Sequence, residues 1–404
     1  MQRDNGGRRA RLIGNGMNRR ILFLVSVVFV ALTMGSRSAG LQPRAPAGSI
    51  AAASTFAQEV PRQEAAFSLV ELWRVGGVNA GPESAFQGPF FVTAIGPEGE
   101  AVILDQLASR VSVFEGNTGS FVRAFGRLGD GPGELRGPGG MAWGPGYRLW
   151  VADPFDRSYA VFDSVGVFVE TVPRPGRSTA SRVYPLVIRP DGGVLDHVPA
   201  SRDIKLFHLD STGAIRNELV IRRPRVELDG RELALPMPGS ELGEAFSAVN
   251  GLRPTIRWSF TKDGKSVWVV RSDSMVLVHL AMTGDTLAQV RLHHRSAAFN
   301  SAQGQAVDRI NRLLGYDAGY APILVQAIHV LDDGRVLLQI GSSWTESGQE
   351  FDVLDPRGRL LGTVKAPFKV HHRSEMASRG DTLLVPAVGE YDVPLLVKAL
   401  LKRN

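Results

Sequence analysis

Cysteine is missing from all 404 residues, which excludes disulfides, a lipidated N-terminal cysteine and any thiolate metal site. The fold must hold by packing alone, and a chain of this length can bury a core large enough to do so. Net basic charge is missing from the body of the protein. The pI is near 9.8, but residues 1–44 carry eight arginines against Asp4, and that +7 exceeds the +6 of the whole chain. Everything after Arg44 sums to −1, so the body lacks the electrostatic footprint of a nucleic-acid binder. A membrane-length apolar run is missing as well: Ile21–Met34 is 14 residues, short of the ~18 that span a bilayer. Helical periodicity is nearly absent. No Gly-x-Ser-x-Gly occurs, and no Ser-His-Asp arrangement stands out.

What is present at the N-terminus reads as an export signal. Arg19-Arg20 precede the apolar stretch, and the small residues Ser36, Ser38, Ala39 and Gly40 follow it, where a signal peptide is cleaved. The paired arginines leave twin-arginine export open, and an uncleaved anchor helix is the alternative to a cleaved signal. Met17 offers a second start, heading a compact leader of Met17-Asn18-Arg19-Arg20. We take residues 1–40 as signal peptide and 41–64, within an Ala/Ser/Pro/Gly-rich stretch, as a disordered linker. Residues 65–404 are then a folded domain, periplasmic or secreted, with no membrane span in the mature chain.

The domain repeats itself. Short β-type runs alternate with glycine turns. One turn class recurs at Glu98-Gly99, Pro145-Gly146, Asp191-Gly192, Asp263-Gly264, Asp333-Gly334 and Arg379-Gly380, the glycines lying 47, 46, 72, 70 and 46 apart. A second recurs at Gly119, Gly166, Gly213, Gly284 and Gly358, spaced 47, 47, 71 and 74. Both ladders give a unit of about 47 residues with ~25 extra in two places, enough for four short antiparallel strands per unit. The second unit shows the pattern as strands over 139–143, 147–152, 157–163 and 167–172. A lone four-stranded sheet cannot cover both of its faces, so the units must pack in a ring. The last unit offers three strands, over 369–376, 381–386 and 391–398, and Leu69–Gly76 is predicted to supply its missing outer strand.

Phe125-Gly126-Arg127-Leu128-Gly129-Asp130-Gly131-Pro132-Gly133-Glu134-Leu135 through Pro138, then Leu149-Trp150-Val151-Ala152-Asp153 and Ala160-Val161-Phe162-Asp163, resembles an NHL repeat. The match covers the second unit fully, the first and third in part, and the last three faintly. The resemblance implies an all-β fold, a six-bladed β-propeller closed by an N-terminal strand. The two ~25-residue insertions, near 223–254 and 296–322, fall on one face, because connections between units and the turns after each second strand share a side. The second insertion is predicted to hold a helix over 301–314, with Val307, Ile310, Leu313 and Leu314 on one stripe and Gly315 at its end.

The chemistry is sparser. Gly126–Gly133 leads into Glu134-Leu135-Arg136 and a strand, not the Gly-Lys-Ser/Thr and helix of a phosphate loop. Asp105, Asp153 and, close to the same place, Asp196 sit at strand ends, where a short carboxylate accepts bonds from turn N–H groups. His329, His371 and His372 fall on predicted innermost strands. An NHL-type lyase places zinc ligands on such strands, but two strands supply histidine here and a three-histidine site lacks a ligand. Glu375 is the one acid on those strands, which argues against a calcium-dependent hydrolase. We expect no metal and no cofactor. The reading is a monomeric binding or scaffolding propeller that recognises a protein, peptide or glycan at its channel face, with Arg253, Arg257, His329 and His371 as ligand-binding candidates. The alternative is an enzyme, a channel-metal-dependent lyase or hydrolase.

Overall fold

In a computed structural model, the described residues are 66–88, 91–176, 183–199, 203–222, 227–228, 231–232, 256–271, 276–291, 301–315, 325–340, 350–371 and 374–404. Contacts divide the chain into Met1–Pro46 and Ala47–Asn404, and every described residue lies in the second unit. The β-branched and aromatic runs become strands, and turns separate them. All eleven glycines of the two ladders have positive φ, from 58° at Gly380 to 96° at Gly99 and Gly284. That backbone region costs glycine least, so the spacing visible in the sequence is the spacing of the hairpin turns.

Four sheets have four strands each, in sequence order. They open with Phe91–Ile95, Gly140–Gly144, Val187–Ile188 and Ile256–Phe260 and close with Phe121–Phe125, Phe168–Pro173, Ile215–Arg222 and Thr286–Arg291. A nine-stranded sheet has two arms. One arm runs Val325–Val330, Val336–Ile340, Glu350–Leu354 and Leu360–Lys365. The other holds Lys369–Val370 and Ala377–Arg379, then Thr382–Val388, Pro394–Arg403 and Phe67–Gly76. The arms join only through the parallel pairs Phe67↔Val364 and Ser68↔Lys365.

Neither face of a sheet is left to solvent near the centre. Apolar clusters join each sheet to the next: Leu104 and Val113 meet Leu149 and Val151, and Tyr159 meets Val194 and Phe207. Leu195 and Leu206 then meet Phe260 and Val267, and Trp268 and Leu277 meet Ile328 and Leu338. Leu337 and Val353 meet Leu383 and Val385, and Leu384 and Leu396 come back to Phe91 and Ile103. The circuit closes, and the fold is all-β and propeller-like. Fourth strands alternate instead, as in the partly exposed Phe121–Phe125, the pattern of a half-solvated edge.

Phe67–Gly76 lies antiparallel to Pro394–Arg403, from Phe67↔Arg403 to Gly76↔Leu395, with a bulge between Glu71 and Trp73. The N-terminal strand therefore covers the edge of the last arm. That arm departs from expectation at its first strand, which is not continuous over 369–376. It breaks after Val370 because Glu375 pairs with the neighbouring sheet, donating its N–H to Phe91 O and accepting from Thr93 N. The helix spans Ser301–Leu314, with Val307 and Ile310 buried and Gly315 at φ 76°. Leu313, expected on the buried stripe, is 44% exposed; the buried side is narrower than the sequence pattern. Of the first insertion, the described part is the pairing of Glu227–Leu228 with Arg231–Glu232.

The strand-end aspartates serve the backbone. Asp105 accepts from Gln87 N and Ala108 N, and Asp153 from Arg136, Gly137, Phe155 and Asp156 N–H groups. Asp196 differs. It holds the Arg174 guanidinium through both carboxylate oxygens and accepts Tyr159 Oη–H at 2.8 Å. Both side chains of this ion pair are fully buried, with Arg174 also donating to His197 O and lying over the Tyr184 ring. Burial pushes the Asp196 carboxyl up, but Arg174 and its hydrogen bonds outweigh that and hold it at about 2. Arg174→Ala strands Asp196 without its partner. We predict a loss of about 3–5 kcal/mol of unfolding free energy, read by urea denaturation at pH 7, against near neutrality for the exposed Arg148→Ala.

Candidate functional site

The first strands of neighbouring sheets touch: Phe91–Ile95 meets Gly140–Gly144 and Ala377–Arg379, and Ile256–Phe260 meets Val325–Val330. On and beside these strands Lys262 is coupled electrostatically to Glu375, Asp332 and His329; Lys262 and Asp332 are exposed, Glu375 is half-buried and His329 is buried. Lys262 stands two residues past the end of Ile256–Phe260. Its turn is closed by others, with Gly264 N–H bonding Thr261 O and Thr261 Oγ1–H bonding Asp263. Lys262 thus has no part in making the turn. It keeps exposed surface, yet surrounding protein desolvates the ammonium and lowers its pKa, against the opposing pull of Glu375 and Asp332.

His329 is the fifth residue of Val325–Val330 and shares a sheet face with its cross-strand partner Leu337. It is 3% exposed, and neither ring nitrogen has a hydrogen-bond partner among the described residues. Burial, helped by the Lys262 charge, pushes the imidazole down to about 3, so it is neutral at physiological pH. A neutral imidazole carries one N–H and one lone pair. Leaving either unmatched inside protein costs about 1–3 kcal/mol.

Glu375 is held by its backbone crossing to the first sheet, where Thr93 Oγ1–H also bonds its carbonyl at 2.9 Å. Burial pushes its carboxyl up to about 8, with Lys262 opposing. At pH 7 the protonated acid therefore dominates. Asp332, two residues past Val330, already uses both oxygens, accepting from Ser378 Oγ and from Gly380 N.

These groups occupy a definite level of the interior. The insertions come before the starts of Ile256–Phe260 and Val325–Val330, whereas Lys262 and Asp332 come after their ends. A five-residue strand is about 17 Å long, so Lys262 and Arg257 stand toward opposite ends of Ile256–Phe260. Glu375, beside Val92, sits nearer the middle. Of the residues singled out in the sequence, Arg253 lies outside the described residues. Arg257, half-buried, pairs across to Val270 near the insertion end of its strand. His329 joins the cluster through its coupling to Lys262. His371 is half-buried, its Nδ1 2.9 Å from Ser374 Oγ and its N–H on Pro386 O. Ser374 Oγ in turn accepts from Phe91 N, so these bonds tie the crossing segment in place. His372 lies outside the described residues. Lys262 was missed because Thr-Lys-Asp-Gly reads as a turn; its only signal is a long cation beside an innermost strand. Among the described residues, no three His, Cys, Asp or Glu side chains converge as a metal site.

No family model matches the chain, and no curated protein does. Among solved structures, a member of the DUF4221 family from Bacteroides vulgatus is similar at 11% identity and a TM-score of 0.49, over 83% of this chain and 98% of that one. A putative exported protein from Bacteroides fragilis is similar at 12% identity and 0.48, over 86% and 99%. Virginiamycin B lyase from Staphylococcus aureus follows at 12% and 0.40, over 77% and 80%. Each likeness is one of fold.

The raised Glu375 carboxyl fixes a pH dependence. Its folded pKa, about 8, lies above the ordinary 4.5, so the folded state binds the proton more tightly. The stabilisation is complete below pH 4.5 and lost as pH rises to 8. Glu375→Gln removes this titration. The melting temperature of the variant relative to the parent is predicted to rise steadily between pH 5 and 8; a constant difference would assign Glu375 an ordinary pKa.

Proposed function

We propose that the chain is an exported binding protein. Its leader over residues 1–40 and linker over 41–64 precede a six-bladed propeller, residues 65–404, which takes a protein, peptide or glycan ligand at its central channel. The sheet count supports six: four separate sheets, and a nine-stranded sheet whose arms share only two residue pairs, so that each arm acts as one blade. The 47-residue ladder supports the same number. Among the described residues no helix is long and apolar enough to cross a membrane, in keeping with release of the folded part beyond one.

One observation carries the binding reading. His329 and Glu375 are held beside the first strands at a cost in desolvation, with the exposed Lys262 coupled to both, and the strand and turn bonds do not use their side chains. Asp153 and Asp196 are matched by backbone and side-chain partners; ionisable groups kept desolvated without such a task are characteristic of sites. The cluster favours the Lys262 end of the first strands over the opposite end of Ile256–Phe260, where Arg257 falls.

Two measurements test the reading. N-terminal sequencing of protein recovered from the extracytoplasmic fraction of its host is expected to start between Arg37 and Leu41; recovery of the intact leader in the cytoplasm overturns export. Crystals of protein purified from that host are expected to show ordered density beside Lys262, with the bound molecule identified by mass spectrometry of the denatured sample. A channel holding only water, with no co-purifying molecule, counts against the binding role.

A further inference from the structure

We infer that His279, Ser266, Thr261 and Asp263 form a hydrogen-bond relay that works as a pH-sensitive latch. It fastens the third strand of the sheet opened by Ile256–Phe260 to the hairpin turn that follows the first. The latch operates without a ligand.

His279 is the fourth residue of Val276–Ala281 and lies opposite Trp268 across the strand pair. The two rings stack, 4.1 Å between centroids and 8° between planes, which holds the imidazole with Nε2 at 2.7 Å from Ser266 Oγ. Ser266 Oγ is 3.0 Å from Thr261 Oγ1. Thr261 Oγ1–H reaches Asp263 Oδ1 at 2.7 Å, closer than Ser266 O at 3.0 Å. Trp268 and Ser266 are buried, His279 and Thr261 half-buried and Asp263 exposed, so the relay runs from between the sheets to solvent. It is not a nucleophilic triad, in which the acid orients the far nitrogen of the base; here the acid stands behind two hydroxyls. Proton counting fixes its direction. Three links need three protons, and the two hydroxyls supply one each. The third is an N–H on Nε2, so Nε2 donates to Ser266, Ser266 to Thr261 and Thr261 to Asp263. Nδ1 keeps the lone pair and is the atom that acid protonates.

Charge around the ring is sparse. Its own strand carries no other ionisable side chain, and the flanking strands carry Arg271 and Arg291 at their far ends. The hairpin turn contributes Lys262, Asp263 and Lys265, whose ammonium is 3.9 Å from Asp263. The turn after Val276–Ala281 adds Asp285, which accepts Thr283 Oγ1–H. From the next arm, the turn at Gly358 rests on Trp268, where a Cβ would stand 3.1 Å from the ring. That turn holds Asp355 bonded to Arg359, and the exposed Arg357. The turn after Val325–Val330 has Asp332, Asp333 and Arg335, bonded to Ser378 and Asp381. Burial lowers the imidazole below the ordinary 6.5, and the Asp263 charge opposes it. Folding therefore favours the neutral ring, a stabilisation complete above pH 6.5 and lost as pH falls through the lower folded value. Acid sets the stacked ring against the relay that holds it, beside the Trp268 contact between sheet and arm.

Ring NMR of histidine-labelled protein, with the His279 signals identified by their loss in His279→Gln, tests the relay. At pH 8 the ring is expected as the Nε2–H tautomer, and its titration midpoint is expected below 6.5. Thr261→Val cuts the relay and frees Ser266 O–H to turn toward Nε2. The tautomer is then expected to move to Nδ1–H and the midpoint to fall. Asp263→Asn, which still accepts from Thr261, is expected to keep the tautomer and lower the midpoint. An Nδ1–H tautomer in the parent, or a Thr261→Val variant with both tautomer and midpoint unchanged, overturns the relay. Thermal melting tests the latch. The advantage in melting temperature of the parent over His279→Gln is expected to shrink as pH falls from 7.5 to 5; an advantage constant across that range overturns it.

Discussion

The structure depends on one antiparallel pairing, Phe67–Gly76 against Pro394–Arg403. Each sheet has two apolar faces and cannot bury either by itself. The circuit of clusters is the solution, but it joins sheets through side chains, which resist sliding only as well as they interdigitate. The pairing of the two chain ends locks the beginning of the domain to its end through backbone hydrogen bonds, a tie that the shorter crossing of Glu375 to Phe91 and Thr93 reinforces, and it covers an edge that would otherwise be open to other chains. Phe67 and Leu69 also enter the same apolar cluster as Leu395, Val397 and Leu401, so the pairing and the packing reinforce each other.

Closure has an electrostatic consequence. First strands held side by side leave an interior where water is scarce, and an ionisable group placed there is driven toward its neutral form. His329 and Glu375 show the effect in opposite directions, one pushed down and the other up. Arg174 and Asp196 show the alternative. Equally buried, they remain charged because the pairing is bidentate and Tyr159 and backbone groups complete the hydrogen bonds. The contrast separates a buried ion pair that keeps its charges from buried groups driven to their neutral forms.

Much of the fold was legible in the sequence because its signals are local. A left-handed turn demands glycine, so two glycine ladders recorded the hairpins of the repeat, and the strands of the second unit fall within a residue of their expected places. The helix over 301–314 was legible from its apolar spacing. What escaped depends on partners distant in sequence. Nothing near Glu375 announces that its backbone leaves its own sheet for Phe91 and Thr93, and nothing near Arg174 announces Asp196. Leu313 satisfied the helical stripe but found no neighbour to cover it. The candidate site was half legible: His329 stood out as a histidine on a first strand and Glu375 as the only acid there, while Lys262 looked like one more turn lysine.

The level of the cluster bears on how such a fold acquires specificity. Insertions are the usual place to look for recognition, since added length on a rigid scaffold changes without disturbing the core. Here the groups that burial shifts lie on or beside the first strands, on positions fixed by the sheets themselves. Lys262 is set by a hairpin turn of its blade, His329 by a strand row shared with Leu337, and Glu375 by a backbone crossing. Groups set this way take their places from strand pairings and a backbone crossing and not from loop conformation, so the closing of the circuit fixes where their backbones stand.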